Sequence, residues 1–147
     1  MAYEDIEDYF ERYRDILEAE GIIVEDIMPT LPKAIEELWE PMMWSEALEA
    51  ANDICVDYVD IHTIPLADYE KLAELLYDMY FPYVPKGMKS EMLTINPYLS
   101  KKEKWRRIVK IAKEWKKKLN KTKRIIKKAE RKKRKRKGEE FDIIIYY

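Results

Sequence analysis

The sequence predicts an all-α fold, in which an acidic, four-helix bundle-like domain is followed by a long basic helix and a short apolar tail. Three observations favour this architecture. Apolar residues recur at helical spacing through residues 1–82, a proline- and glycine-containing stretch interrupts the pattern at 83–99, and a regular apolar series resumes at 100–137. The remaining residues, 138–147, have a different composition again.

The first predicted helix spans residues 3–20. Its apolar side chains recur every three or four residues between charged ones, and Gly21 provides a stop signal. A short second helix is predicted from Thr30 to Pro41, because threonine can cap a helix and proline is tolerated in the first turn. The inward positions of these two helices are Ile6, Tyr9, Phe10, Tyr13, Ile16, Leu17, Ala34, Ile35, Leu38 and Trp39.

Two more helices complete the predicted acidic domain over residues 1–82. Ser45 is a suitable N-cap for a third helix, and the tripeptide Thr63-Ile64-Pro65 opens a fourth. Both carry their apolar residues on one face, as helices that pack on a core do. Those residues are Ala47, Leu48, Ala51, Ile54, Cys55 and Tyr58 in the third helix, and Tyr69, Leu72, Leu75, Leu76, Met79 and Tyr80 in the fourth.

A long basic helix is predicted over residues 100–137, after a proline-containing linker at 83–99. Ser100 and Glu103 have the spacing of a capping box, and the helix is expected to fray beyond about Arg131. Its apolar residues alternate at steps of three and four, which forms a narrow seam suited to packing against one partner helix. The seam comprises Trp105, Ile108, Ala112, Trp115, Leu119 and Ile126, and it is continued by Thr122 and Ala129.

The tail after Gly138 has the β-branched and aromatic composition of a strand. An exposed strand pairs readily with a sheet edge of another subunit. The sequence therefore predicts a tail that either promotes assembly or folds against its own domain. The residues concerned are Phe141, Ile143, Ile144, Ile145, Tyr146 and Tyr147.

Charge is divided sharply between the segments. Residues 101–137 contain 22 Lys or Arg and 3 acidic residues, whereas residues 1–100 contain 6 basic and 23 acidic residues. The net charge of −1 therefore hides a charge of +19 in the basic helix beside −17 in the acidic part. Because densely packed cations repel one another, a segment this basic favours a polyanionic partner.

Seven basic residues fall together on the face of the predicted helix that lies opposite the apolar seam. Members four residues apart are separated by about 6 Å along the axis, comparable to the phosphate spacing on a nucleic-acid strand. Two alternatives are neutralisation of this face by the acidic domain of the same chain, and simple solvation. We name this set the basic stripe, and its members are Arg106, Lys110, Lys117, Lys121, Arg124, Lys128 and Lys135.

The sequence contains no recognisable motif that reads nucleic-acid bases. It lacks zinc-finger spacing of Cys and His, an RNP motif and a helix-turn-helix with a convincing turn. Trp105 and Trp115 have the chemistry to stack on bases, yet both occupy seam positions, where a packing role is more common. Contacts are therefore expected to go mostly to the phosphate backbone, with weak sequence specificity for either DNA or RNA.

Catalytic and metal-binding patterns are also lacking. His62 follows Asp57 and Asp60, but the sequence adds no second histidine, no paired cysteine, no glycine-rich phosphate loop and no nucleophile elbow. The single Cys55 lies in an apolar helical pattern, which indicates neither a disulfide nor a zinc site. We therefore expect a structural His62, no metal, no cofactor and no enzymatic activity.

These patterns predict a non-enzymatic protein that binds nucleic acid with little sequence preference, in a structural, packaging or accessory role that includes a virion nucleoprotein. One alternative is an acidic protein-binding module or inhibitor that occupies the nucleic-acid site of a partner. Another is attachment to a membrane surface through the basic helix. Self-association or a helical protein partner is expected in addition.

The N-terminus is acidic, and no apolar run reaches the 18 or so residues of a membrane span. We therefore expect no signal peptide and no transmembrane segment, with the protein in the cytoplasm or within an intracellular nucleoprotein assembly or virion. The absence of Gln and the abundance of Lys, Glu, Ile and Tyr are typical of proteins from very hot environments.

Overall fold

The computed structural model describes residues 4–31, 34–35, 38–62 and 65–145, with side chains of the last helix described as far as Lys133. Within this part of the chain the all-α prediction is confirmed, because helices dominate and the one strand pairing is two residues long. The elements in order are β1 (Glu4–Asp5), α1 (Ile6–Glu11), α2 (Arg14–Ala19), α3 (Val24–Ile27), β2 (Ala34–Ile35), α4 (Trp44–Asp53), a π-helical turn (Ile54–Tyr58), α5 (Leu66–Tyr77), α6 (Lys86–Leu93) and α7 (Lys101–Ile145).

The single helix predicted over residues 3–20 is in fact two short helices. Asp5 caps α1, since its carboxylate accepts a hydrogen bond from the backbone N–H of Glu7 at 2.9 Å. At the end of α1 the N–H of Tyr13 bonds back only three residues, to the carbonyl of Phe10, which tightens the turn and ends the helix. The apolar periodicity continues across this break, so the sequence pattern alone did not reveal it.

The helix predicted between Thr30 and Pro41 is wrong in the part of it that the structure describes. Ala34 and Ile35 instead form β2, which pairs antiparallel with β1 in the register Glu4 to Ile35 and Asp5 to Ala34. Trp39 has a φ of 72°, in the left-handed region that no right-handed helix can include. Residues 32–33 and 36–37 lie outside the described residues.

The third and fourth predicted helices are confirmed as α4 and α5. The third begins at Trp44 with Met43 at the N-cap, so Ser45 lies inside α4 and does not cap it. After Asp53 the helix widens into the π-helical turn, where the N–H of Val59 bonds to the carbonyl of Ile54 five residues back. Thr63 and Ile64 lie outside the described residues, and α5 starts directly after Pro65.

The predicted linker at 83–99 contains a helix that belongs to the core. Pro85 precedes α6 in an extended conformation, and the backbone N–H of Lys86 bonds to the carbonyl of Met28 at 2.7 Å. Met88 and Met92 of α6 are fully buried. Proline is compatible with a helix start as well as with a loop, which is why composition alone suggested a linker.

One buried cluster joins the acidic and basic parts of the chain. Its members include Phe10 of α1, Leu72 of α5, Met88 of α6 and Trp115 of α7. Aromatic rings fill its centre: the centroids of Phe81 and Tyr83 lie 4.5 Å apart, and those of Trp39 and Phe81 lie 5.6 Å apart. The Tyr83 hydroxyl donates a hydrogen bond to the carbonyl of Ile27 at 2.7 Å, and burial raises the pKa of Tyr83.

The last helix continues beyond the predicted fraying point near Arg131, and it extends to Ile145. The predicted strand is therefore wrong for Phe141, Ile143, Ile144 and Ile145, while Tyr146 and Tyr147 lie outside the described residues. A residue added to an existing helix gains a hydrogen bond without a new nucleation cost. A single glycine costs only about 1 kcal/mol in a helix relative to alanine, so Gly138 does not end α7.

Replacing Gly87 by alanine is expected to destabilise the fold by about 1–3 kcal/mol. A Cβ at this position would lie 2.7 Å from Cβ of Asp26 and 2.7 Å from Cη2 of Trp115, closer than packed atoms approach. Denaturant unfolding measures the change, with the exposed Ser90→Ala in the same helix as the control. Equal stabilities of the two variants would contradict the close packing of α6 against α7.

Candidate nucleic-acid interface

The basic helix begins at a capped end. The hydroxyl of Ser100 accepts a hydrogen bond from the backbone N–H of Glu103 at 3.2 Å, as the capping-box spacing predicts. The carboxylate of Glu103 bonds to Arg106 at 2.6 Å, so it does not complete the reciprocal half of the box. From this cap, the 45 residues of α7 extend about 67 Å at the rise of an α-helix.

The apolar seam of α7 packs inside the protein's own core. Trp105 is half-buried against the core, and the other seam residues are almost completely excluded from solvent. From Ile108 to Ile126 the seam therefore has almost no exposed surface for a separate partner helix, which corrects the prediction that this narrow seam packs against one partner helix. Helical periodicity identifies a face that must be covered but does not say what covers it. The covered seam residues are Ile108, Ala112, Trp115, Leu119 and Ile126.

The basic stripe lies on the opposite, exposed face of the same helix. Its six members with described side chains are all exposed to solvent, and Lys135 lies in α7 beyond the last described side chain. Between the first and the last described member the stripe is about 33 Å long. The six exposed members are Arg106, Lys110, Lys117, Lys121, Arg124 and Lys128.

Few of these cations are neutralised by the chain itself. Lys121 Nζ donates to the carbonyl of Glu20 at 3.0 Å and lies 3.9 Å from its carboxylate, and Arg106 pairs with Glu103 of its own helix. Among the described residues, the other four exposed members have no ion pair: Lys110, Lys117, Arg124 and Lys128. Most of the stripe therefore keeps its charge available.

Two shallow clefts follow the stripe. One, of about 400 Å³, lies where α2 meets α7 and includes Ile16 and Glu20 beside stripe residues Lys121, Arg124 and Lys128. The other, of about 670 Å³, is lined entirely by cations of α7, namely Lys123, Arg124, Lys127, Lys128 and Arg131. A chain of phosphates passing along the stripe would thus meet basic side chains on several sides.

A tyrosine pair holds the later part of α7 against α1. The Glu130 carboxylate accepts hydrogen bonds from the hydroxyls of Tyr9 at 3.5 Å and Tyr13 at 3.3 Å. Lys133 Nζ lies 6.0 Å from the ring centroid of Tyr13. Burial, with a smaller contribution from the negative charge of Glu130, raises the pKa of Tyr9 to about 12. The sequence pattern missed this contact, since an i, i+4 pair of tyrosines is also common on a core face.

The two tryptophans of α7 serve packing. Trp115 is 1% exposed, and Lys118 covers its ring with Nζ at 4.2 Å from the centroid. Its indole N–H has no hydrogen-bond partner within the described part of the chain. A base cannot stack on a ring that is enclosed on this scale, so base recognition by Trp115 has no structural support.

His62 is an exposed residue, and its Nε2 lies 2.5 Å from the carboxylate of Asp60. No group of three or more His, Cys, Asp and Glu side chains with metal-binding geometry occurs among the described residues. None of the helices among the described residues is long and apolar enough to cross a bilayer.

No family model, curated protein or solved structure matches the chain.

Proposed function

We propose that this protein binds nucleic acid through the basic stripe of α7, by contacts to the phosphate backbone. The observation that carries the proposal is the row of exposed cations, four of which lack ion pairs in the described chain: Lys110, Lys117, Arg124 and Lys128. Unpaired cations at close spacing repel one another, and phosphates relieve that repulsion.

The burial of the seam supports the same proposal. Because the apolar side of α7 is fixed in the core, the basic side faces solvent in a defined direction. Side chains on a fixed helix lose less freedom on binding than side chains on a segment that must fold first. Binding by a packed helix is therefore favoured over binding by a disordered basic tail.

Little sequence discrimination is expected. Lysine and arginine contacts to phosphates position a protein on a nucleic acid without reading its bases. The enclosed Trp115 offers no stacking surface, and the chain has no base-reading motif. A non-enzymatic role in packaging, in a nucleoprotein structure or as an accessory to nucleic-acid metabolism fits this mode of binding.

A salt titration tests the proposal. Binding of duplex DNA, single-stranded DNA and RNA is measured by gel shift or fluorescence anisotropy at several salt concentrations. If six to ten phosphates are neutralised, affinity should fall by roughly three to five orders of magnitude between about 50 and 200 mM salt. No binding of any of the three at low salt would refute the proposal.

Attachment to a membrane surface is less consistent with the burial pattern. An interfacial helix inserts its apolar face into the lipid, whereas the face of α7 from Ile108 to Ile126 is buried in the core. Flotation with anionic liposomes tests this alternative directly.

The alternative of an acidic protein-binding module is favoured by one specific feature, a groove beside α4.

A further inference from the structure

A second surface of the protein has the opposite charge to the stripe. A groove of about 580 Å³ runs along α4 and the π-helical turn, between the loops at 29–31 and 82–84. Its apolar lining includes Leu31, Met42, Ile54, Tyr83 and Val84. Leu31 is 76% exposed, so the groove leaves apolar surface in contact with water.

Four carboxylates line this groove, and all four are exposed. They come from one side of α4 and from the π-helical turn. Within the described residues none of them forms an ion pair, and the one cation of the lining is Lys89, whose Nζ lies 5.8 Å from the ring centroid of Tyr58. The four carboxylates are Glu46, Glu49, Asp53 and Asp57.

The π-helical turn contributes to the shape of this site. In a regular α-helix Asp57 would continue the spacing of Asp53, but the wider turn at Ile54–Tyr58 changes the direction of the side chains that follow it. Asp57 and Tyr58 both line the groove. Turns of this kind are rare and are frequent at functional sites, which agrees with a binding role for the groove.

We propose that this groove binds the C-terminal part of α7 from a second copy of the chain. That part of the sequence is its chemical complement. Residues 131–145 hold seven consecutive Lys or Arg at 131–137 and three acidic residues at 139, 140 and 142, and their net charge of +4 suits the carboxylates. The Phe and Ile residues of 141–145 suit the apolar lining. The backbone of α7 is helical through this whole region.

The lengths of the two elements also agree. Residues 131–145 extend about 21 Å along a helix axis, and the carboxylates from Glu46 to Asp57 extend about 16 Å. One helical end can therefore follow the whole groove. Because the tail and the groove are different surfaces, the contact is heterologous, and successive copies can extend an assembly.

This contact overlaps the proposed nucleic-acid surface at one residue, Lys135. It uses residues after Glu130, whereas the exposed members of the stripe with described side chains end at Lys128. Assembly is therefore expected in protein free of nucleic acid. A failure of one proposal does not imply a failure of the other.

A charge-swap experiment on the full chain tests the contact. The groove variant carries Glu49→Lys, Asp53→Lys and Asp57→Lys, and the tail variant carries Lys132→Glu, Arg134→Glu and Arg136→Glu. Molar mass is measured by light scattering at low salt, where charge pairs are least screened. Melting curves of each variant show whether the fold is retained.

The wild-type chain is expected to give at least twice the 17.8 kDa of one chain, and the mass should fall as salt is raised. Each variant alone should be monomeric, because its tail and groove then carry the same sign. In the tail variant, residues 131–145 hold four basic and six acidic residues, since Glu139, Glu140 and Asp142 add to the three new glutamates. In the groove variant, three lysines make the groove basic beside a basic tail. A mixture of the two, and a single chain carrying all six changes, should assemble again. A monomeric wild type, an assembly unchanged by either variant, or no rescue by the swap would overturn the proposal.

Discussion

Replacing four cations of the basic stripe by glutamine is expected to weaken nucleic-acid binding by roughly three orders of magnitude at about 0.1 M salt. The positions are Lys110, Lys117, Arg124 and Lys128, which are exposed and form no ion pairs in the described chain. Each lost phosphate contact removes one released counterion, so the slope of log affinity against log salt should flatten by about 3 to 4. Anisotropy titrations over a range of salt concentrations measure both quantities.

A matched pair of double variants separates the effect of the stripe on binding from the effect of net charge. Lys117→Gln with Arg124→Gln removes two charges from the stripe, and Lys71→Gln with Lys86→Gln removes two exposed charges from other helices. The first variant should change the salt slope by about 2, and the second should leave it nearly unchanged. Equal effects of the two variants would show that binding follows overall charge and does not depend on this face.

Truncating Trp115 to alanine is expected to destabilise the whole protein by about 3–5 kcal/mol. The side chain is 1% exposed and contacts the core in which α1, α5, α6 and α7 meet. The half-buried Trp105→Ala is the control and should cost less, because it leaves a smaller cavity. Thermal and denaturant unfolding followed by circular dichroism measure the loss.

The result decides between two descriptions of the molecule. If α7 were only appended to an independent acidic domain, unfolding of residues 1–82 would be insensitive to Trp115. A shared core instead predicts one cooperative transition that shifts as a whole. Trp115→Phe refines the test, because it keeps most of the packing while it removes an indole N–H that has no partner in the described chain.

The sequence was most informative where helical periodicity alone determines which residues are buried. In α7, a step of 100° per residue was enough to separate Ile108 and Leu119 from Lys110 and Lys117, and the structure has the first pair buried and the second exposed. The cap at Ser100 was predictable for the same reason, because it depends on residues close in sequence. Whether this face binds nucleic acid stays a prediction.

Features that depend on distant residues were missed. Ala34 and Ile35 pair with the first described residues of the chain, a contact that no local propensity encodes. The partner of the seam was undetermined for the same reason, since periodicity does not distinguish a neighbouring subunit from the chain's own helices. The groove beside α4 was missed for two reasons. Asp57 occupies a position that helical periodicity predicts to face solvent, and the loops that enclose the groove come from two other regions of the sequence.

The buried seam restricts how α7 can rotate. From Ile108 to Ile126 the helix is packed through about five turns, so it cannot twist about its long axis unless the core opens. Any polymer that it carries would therefore run along one fixed flank of the molecule. If the C-terminal part of α7 in one copy binds the groove beside α4 of the next copy, all copies have the same orientation. The assembly would then be a polar filament with a constant handedness.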